Sequence, residues 1–279
     1  MTIGKNLGNQ EIINLMTSHP NVKFLTWSER QVNYFKKWGA RVISLFGFPL
    51  SIRFRLRMRI TNMLFSNLGC NKDSKVLDLG CGCGWYVYEI QRLFKSKCVG
   101  VDLDEKDINF CKEFKNITNS DKLDFFTADI TKYSDGIEYD FCIISQVLEH
   151  IRDDLSAVKN AYKNLKEGGH IIVGVPYNDN PVEYEFRQDR GTRGKGGLSE
   201  YDHVRNGYSV KTLTKLLKSA GFKKINSVVV AERTFSQKLH NLNLKLQIVV
   251  FPLFYPFAVV FDKFFSRESG ITIHVTAEK

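Results

Sequence analysis

The chain has 279 residues, of which 43% are hydrophobic and 25% charged, and this composition excludes an intrinsically disordered protein. Its formal net charge of +10 favours an anionic partner, such as nucleic acid, a phospholipid surface or a phosphorylated substrate, although a solvated basic helix face would explain it as well. The first twenty residues lack the apolar core of a signal peptide, so we expect a cytoplasmic protein with reduced cysteines.

Residues 1–70 are predicted to form a helical, basic N-terminal arm, interrupted at Gly39 and before Pro49. Between Arg30 and Arg59 the sequence has eight basic residues and no acidic one. The arm is therefore a candidate surface for an anionic partner.

From Lys75 onward, short apolar runs alternate with segments of helical spacing. The predicted strands are KVLDLG, KCVGVDLD, LDFFTADI, YDFCIISQV and HIIVGVPY, followed by the helix SVKTLTKLLKSAGF and the strands KINSVVVAE and ITIHVTAEK. The helix after the fourth strand is predicted to end at Gly168 and Gly169. Such alternation predicts an α/β fold with a doubly wound, mostly parallel sheet in residues 71–279.

The glycine-rich turn after the first strand is typical of a loop that holds the polar end of a ligand. Gly80, Gly82 and Gly84 form G-x-G-x-G, and Trp85 stands where the dinucleotide pattern requires a third glycine. Cys81 is separated from the next cysteine by one residue, which is too few for a zinc knuckle.

Carboxylates lie at or near the ends of three successive predicted strands. Asp78 precedes the glycine turn, Asp102 ends the second strand and Asp129 ends the third. In a doubly wound sheet these positions share the ligand-binding edge, where Asp102 could accept hydrogen bonds from ribose hydroxyls. The alternative for each aspartate alone is a helix cap.

In these and neighbouring residues the sequence resembles the class I S-adenosylmethionine-dependent methyltransferases. The resemblance lies in VLDLGCGCG, GVDLD, TADI, YDFCIISQVLEHI and LKEGGHIIVGVP, which span residues 75–177. It implies S-adenosylmethionine as cofactor and a Rossmann-like seven-stranded sheet of order 3-2-1-4-5-7-6, with the last strand antiparallel.

The resemblance also implies a set of cofactor-binding residues. Gly80, Cys81, Gly82 and Gly84 would cradle the methionine portion, with Asp78 near its ammonium; Asp102 would hold the ribose; Leu103, Asp129 and Ile130 would meet the adenine; Ser145 and Gln146 would face the methyl group. The loop cysteines would be small fillers.

Two histidines, His150 and His203, are candidate catalytic bases on the acceptor side. For His150 a structural hydrogen bond is the alternative, whereas His203, beside Asp202, resembles an oriented base. Some family members bind a divalent metal through E-x-x-E-H and a later histidine. Here Gln146 occupies the first position, so no metal is expected.

Two segments are predicted to serve the substrate. Residues 177–209 are predicted to form a long polar, glycine-rich loop, which is a candidate lid, with a mobile surface loop as the alternative. Residues 233–270 form a hydrophobic insertion between the last two strands, in which Leu246 to Phe261 carry no charge. Two prolines and its short length disfavour a membrane-spanning helix and favour an interfacial segment, with a hydrophobic flap or dimer contact as alternatives.

Together these features predict a methyltransferase acting on a hydroxyl of a small-molecule, lipid-linked or glycan-linked acceptor, at the inner face of the membrane if lipid is involved. The fourth motif lacks the D/N-P-P-Y/F element of enzymes that methylate base amino groups, so nucleic acid is disfavoured. An RNA-directed methyltransferase and a non-catalytic cofactor-binding subunit stay open as alternatives, as does the oligomeric state.

Overall fold

The computed structural model describes residues 52–182, 203–230 and 272–279. Most of the predicted basic arm, residues 183–202 of the predicted substrate loop and the whole hydrophobic insertion 233–270 lie outside the described residues. The predictions made for those segments therefore stay predictions.

The described chain begins with a helix and then alternates strands and helices. The helices are α1 (Ile52–Asn67), α2 (Trp85–Phe94), α3 (Glu105–Thr118), α4 (Asp154–Asn164) and α5 (Val210–Ala220). The strands are β1 (Lys75–Leu79), β2 (Lys97–Asp102), β3 (Leu123–Thr127), β4 (Tyr139–Ser145), β5 (Leu165–Pro176), β6 (Lys223–Val230) and β7 (Thr272–Glu278). A short 3-10 turn, Leu148–His150, follows β4.

The described strands form one seven-stranded sheet of order β3-β2-β1-β4-β5-β7-β6. The β1 to β5 neighbours pair in parallel, while β7 runs antiparallel to both β5 and β6. This confirms the predicted doubly wound, mostly parallel fold and its strand order. Because β1 to β4 are parallel, their carboxyl ends meet at one edge of the sheet.

Alternating residues of each central strand pack into two hydrophobic cores, one on each face of the sheet. Val76, Phe141 and Ile143 belong to the core shared with α1, α2 and α3. Leu77 and Cys142 belong to the opposite core, shared with α4 and α5. The continuous apolar runs in the sequence follow from this burial on both faces.

Helix α1 packs on the first of these faces, within the range predicted as the helical arm. Its Met58 and Phe65 are fully buried, and the Phe65 ring lies 5.3 Å from that of Phe141. Helix α1 therefore covers part of this face of the sheet, beside β4.

The end of α4 corrects one sequence prediction. The helix ends at Asn164, and residues Leu165–Pro176 are strand, so the predicted stop at Gly168 and Gly169 is wrong. The Asn164 amide donates to the carbonyl of Tyr133, and Leu165 is fully buried in register with Tyr139. Burial of Leu165 in the sheet therefore outweighs continuation of the helix.

All six cysteines are buried free thiols, and the expectation of a reducing compartment stays a prediction. In the described parts of the chain, no helix combines the length and apolar character needed to cross a bilayer.

Candidate functional site

The turn after β1 lies directly against the loop after β4. Gly80 has a φ of 87°, and its amide and that of Cys81 donate to the Val101 carbonyl at 2.7 and 3.0 Å. A Cβ atom at Gly80 would stand 2.3 Å from Cγ2 of Val147. Glycine is required at this position both by its backbone conformation and by the approach of Val147.

The rest of the loop is held by contacts within the chain. The Gly82 amide donates to Asp102 Oδ2 at 2.7 Å, and the Gly84 amide to the Cys81 carbonyl at 2.9 Å. Burial raises the pKa of the Cys81 and Cys83 thiols, which suits their predicted role as fillers. The loop thus presents a rigid, Cβ-poor surface at the start of α2.

Asp78 stands inside β1 with its side chain 2% exposed. Among the described residues its Oδ2 atom has no hydrogen-bond partner. Burial first, and the nearby Asp102 second, hold its pKa well above the usual range. A buried carboxyl without a partner is costly, and a cationic ligand group would relieve that cost.

Asp102 ends β2, where the sequence places it. Its Oδ2 accepts from Gly82, and its Oδ1 accepts from the Asp104 amide at 3.0 Å. Each carboxylate oxygen can accept a second hydrogen bond, so ribose hydroxyls can still bind there. The neighbouring Leu103 is 63% exposed, as expected of an apolar side chain that a flat ring would cover.

Asp129 has a different local role. It accepts hydrogen bonds from both the amide and the hydroxyl of Thr131, and these bonds lower its pKa. Asp129 thus caps a turn, whereas the alternative raised from the sequence was a helix cap. Ile130 is buried, and its carbonyl accepts from the Asn160 amide. The adenine contact predicted for Asp129 and Ile130 stays a prediction.

The carboxyl end of β4 is strained and tightly held. Gln146 has a φ of 58°, and its backbone amide donates to the Gly174 carbonyl at 2.7 Å. Its side-chain Nε2 also donates to Gly174, and its Oε1 accepts from Arg57 Nη1 at 3.0 Å. The neighbouring Ser145 hydroxyl is buried and, within the described residues, has no hydrogen-bond partner.

The structure brings the two predicted histidines together. The rings of His150 and His203 lie 4.5 Å apart at an interplanar angle of 88°. His150 is half-buried, while His203 is exposed, at the start of the 203–230 stretch. The Val204 amide donates to the carbonyl of Glu149, which joins the two segments by their backbones.

Arg205, which the sequence did not indicate, holds the His203 segment against the turn after β4. Its guanidinium is 4% exposed and donates to the carbonyls of Leu148, Ile151 and Arg152, and it pairs with Asp154 at 2.8 Å. Nothing in the pattern VRNGYS distinguishes such an arginine from a surface residue, because its carbonyl and carboxylate partners lie about 50 residues away, although it also donates to the nearby Tyr208 hydroxyl.

Glu149 was also missed, although a glutamate inside the apolar run VLEHI was a usable signal. It is 1% exposed, and burial raises its pKa to about 7 against the opposing effects of Arg57 and Arg205. Within residues 52–182, 203–230 and 272–279, its carboxylate and the nitrogens of His150 and His203 form a group of potential metal ligands within 4.8 Å of one another. The expectation of no metal stays a prediction, and the Gln146 amide is already engaged by Arg57 and Gly174.

The residues at this edge fit the amino-acid end of S-adenosylmethionine. In the described chain, Asp78 Oδ2, Thr61 Oγ1, Tyr86 Oη and Ser145 Oγ are buried without hydrogen-bond partners. Buried polar groups of this kind generally have partners in the functional state. Asp78 suits an ammonium, and the three hydroxyls suit a carboxylate.

Comparison with known families decides the identity of the domain. A family described as the methyltransferase domain matches residues 51–227. This chain belongs to the class I S-adenosylmethionine-dependent methyltransferases. It is a transferase whose cofactor is S-adenosylmethionine.

Curated relatives of this methyltransferase act on different atoms. Phosphoethanolamine N-methyltransferase 1 of Triticum aestivum is 28% identical over 207 residues, which cover 73% of this chain and 36% of the relative. Ubiquinone biosynthesis O-methyltransferase of Acinetobacter baylyi is 27% identical over 128 residues, covering 45% of this chain and 52% of the relative. The matches thus span from about a third to half of the length of these relatives.

Solved methyltransferases share the fold. Phosphoethanolamine N-methyltransferase 2 of Haemonchus contortus, in complex with S-adenosylmethionine, matches with a TM-score of 0.51 and 14% identity, covering 79% of this chain and 52% of that one. Coclaurine N-methyltransferase, bound to N-methylheliamine and S-adenosylhomocysteine, matches with a TM-score of 0.55 and 14% identity, covering 80% and 72%.

Proposed function

We propose that this methyltransferase transfers the methyl group of S-adenosylmethionine to a hydroxyl of a small-molecule acceptor, either free or carried on a lipid or glycan. The observation that carries the proposal is the pair His150 and His203, whose rings lie 4.5 Å apart. His150 lies in the turn that follows β4, a few residues beyond Ser145 and Gln146, near which the resemblance to the family implies the methyl group. An imidazole that titrates near neutral pH is suited to accept a hydroxyl proton.

When bound, the cofactor supplies an electrophilic methyl group on a sulfonium. The chain's own contribution is chiefly alignment, which can remove about 7–11 kcal/mol of the barrier. His203 would take the proton of the acceptor hydroxyl when that hydroxyl is methylated. Since His203 is exposed, that proton can then pass to water, while His150 borders the ring edge-on and limits its orientation.

An amine acceptor is the second candidate. The buried Glu149 carboxyl, within 4.8 Å of both histidines, could bind an ammonium group before its deprotonation. The relatives support both candidates, since one is named an O-methyltransferase and another an N-methyltransferase.

Transfer of labelled methyl from S-adenosylmethionine to a cell extract tests the proposal. We expect label in a small molecule or in the lipid extract, on an acid-stable, alkali-stable methyl ether. An N-methyl product would establish the second candidate. If nuclease treatment released the label, the protein would be an RNA-directed methyltransferase. If no label were transferred, the result would support a non-catalytic cofactor-binding subunit. Either result would overturn the proposal.

We also propose that residues 246–261, which are outside the described structure, attach the protein peripherally to an anionic membrane. The support is their uncharged sequence with Lys245 and Lys263 on either side. Sedimentation with anionic vesicles should deplete the protein from the supernatant, whereas equal recovery with and without vesicles would remove this proposal.

A further inference from the structure

Helix α1 brings a basic side chain to the end of β4 that faces the predicted methyl position. Arg57 is partly buried and donates from Nη1 to Gln146 Oε1 at 3.0 Å. The helix is held there by packing, because Met58 is 1% exposed and the Phe54 ring lies 5.2 Å from the ring of Tyr86. The guanidinium is therefore positioned by the folded domain.

Three buried groups near this guanidinium lack partners among the described residues. Thr61 Oγ1 and Tyr86 Oη, with side chains 1% and 7% exposed, have no hydrogen bond, and neither has the Ser145 hydroxyl. Burial raises the pKa of Tyr86, and the nearby Ser145 hydroxyl, Arg57 guanidinium and Thr61 hydroxyl lower it. These groups consequently lie close to one another in one polar region under α1.

Asp78 borders the same region with the opposite charge. It is in register with Ile143 in the sheet, so it and Ser145, two residues further along β4, point to the face that α1 covers. Asp78 is also close enough to raise the pKa of Tyr86. This region thus contains a carboxyl, a guanidinium and hydroxyls.

An amino-acid zwitterion matches this arrangement. Its ammonium requires a carboxylate partner, and its carboxylate is best bound by a guanidinium together with hydroxyl donors. We propose that Arg57, with the hydroxyls of Thr61 and Tyr86, binds the carboxylate of the methionine portion of S-adenosylmethionine, opposite the ammonium at Asp78.

This inference rests on the cofactor and is independent of which acceptor is methylated. It also changes the interpretation of the basic arm. One of the eight basic residues between Arg30 and Arg59 then serves the cofactor site, so part of the charge asymmetry in the sequence needs no polyanionic partner.

Calorimetric titration tests the inference with two ligands that differ in one group. The ligands are S-adenosylhomocysteine and its decarboxylated analogue, in which a hydrogen replaces the carboxylate. We expect Arg57→Gln to weaken binding of S-adenosylhomocysteine about 10- to 100-fold, the loss usual for a charge-assisted hydrogen bond, and to change binding of the analogue less than about threefold. Arg57→Lys should recover part of the loss.

Arg59→Gln is the matched control, because Arg59 lies two residues further on the same helix with an exposed side chain. It should leave both affinities unchanged. Thermal unfolding of each variant shows whether α1 remains folded. An Arg57→Gln variant that is folded and binds both ligands as tightly as the unmodified protein, or loses affinity for both equally, would overturn the inference.

Discussion

The two halves of the ligand-binding edge are built in different ways. The half formed by β1, β2 and β3 takes its residues from short contiguous motifs, such as Gly80 to Gly84 and the aspartate that ends β2. The half around β4 is assembled from α1, the turn after β4 and the segment that begins at His203. These pieces are separated by up to about 150 residues in the chain.

The two halves are also held in place by different kinds of contact. The cofactor loop is held by its own backbone bonds and by close approach, as at Gly80 against Val147. The half around β4, which we call the acceptor half, depends on Arg205, which fixes the His203 segment, while Arg57 holds Gln146 at the border with the cofactor site. Substitutions should therefore damage the first half through shape and the second through charge and hydrogen bonding.

The largest effect is expected at Gly80. Gly80→Ala places a Cβ atom 2.3 Å from Val147 at a φ of 87°, so the two loops must separate and calorimetry should detect no cofactor binding. Gly69→Ala is the control, because it has a similar φ of 81° with no atom within 4 Å of the added Cβ. It should cost about 1–2 kcal/mol of stability and spare binding; equal losses for both variants would refute the role of close approach.

His203→Ala should impair catalysis without impairing cofactor binding. We expect turnover to fall about 10²- to 10⁴-fold, the usual contribution of a general base, with calorimetric affinity for the cofactor unchanged. His170→Ala is the control, since His170 stacks on Phe141, well before the carboxyl ends of these strands. Normal turnover in His203→Ala would return this histidine to a structural role.

Glu149 should make stability depend on pH. Its pKa rises from 4.5 to about 7 on folding, so the folded protein holds an extra proton between these values and loses stability as the pH rises through this window. Glu149→Gln removes this penalty and should exceed the unmodified protein in unfolding free energy by up to about 3 kcal/mol at pH 8, with little difference near pH 4.5.

Denaturant unfolding at the two pH values measures this difference. The residues that face Glu149, namely Arg57, Arg205, His150 and His203, are the same in both proteins. Glu278→Gln is the control of opposite sign, because Lys224 lowers the pKa of that partly exposed carboxyl. A gap between Glu149→Gln and the unmodified protein that is the same at both pH values would contradict the assignment.

The smallest effect distinguishes two aspartates of the cofactor half. Asp102→Asn should weaken cofactor binding about 10- to 100-fold, since the amide loses a charge-assisted acceptor for the ribose and for Gly82. Asp129→Asn should change it less than about threefold, because Asp129 already caps the turn at Thr131. Equal losses in a calorimetric titration would show that Asp129 also contacts the cofactor.

The sequence predicted the fold and the cofactor half because both depend on local patterns. Apolar runs and the glycine turn identify β1, and strand order follows from the family that these motifs resemble. The helix end at Asn164 was missed because burial of Leu165 beside Tyr139 depends on a strand some 25 residues away.

The acceptor half was predicted only in part. His150 and His203 were identified one by one, but their contact depends on Arg205 and its carbonyl partners, which no spacing in the sequence indicates. The sequence did not distinguish Arg57 from the other basic residues of the arm, since a count of charges does not show which side chain packs into the domain. Tertiary contacts alone distinguish these residues from their neighbours.

A crystal structure of the complex with S-adenosylhomocysteine tests the central claim most directly. We predict that its sulfur lies beside Ser145 and Gln146, with the amino-acid end between Asp78 and Arg57 and the side away from the adenosine open toward His203. A ligand bound elsewhere, or a sulfur turned away from the histidine pair, would contradict this account of the site.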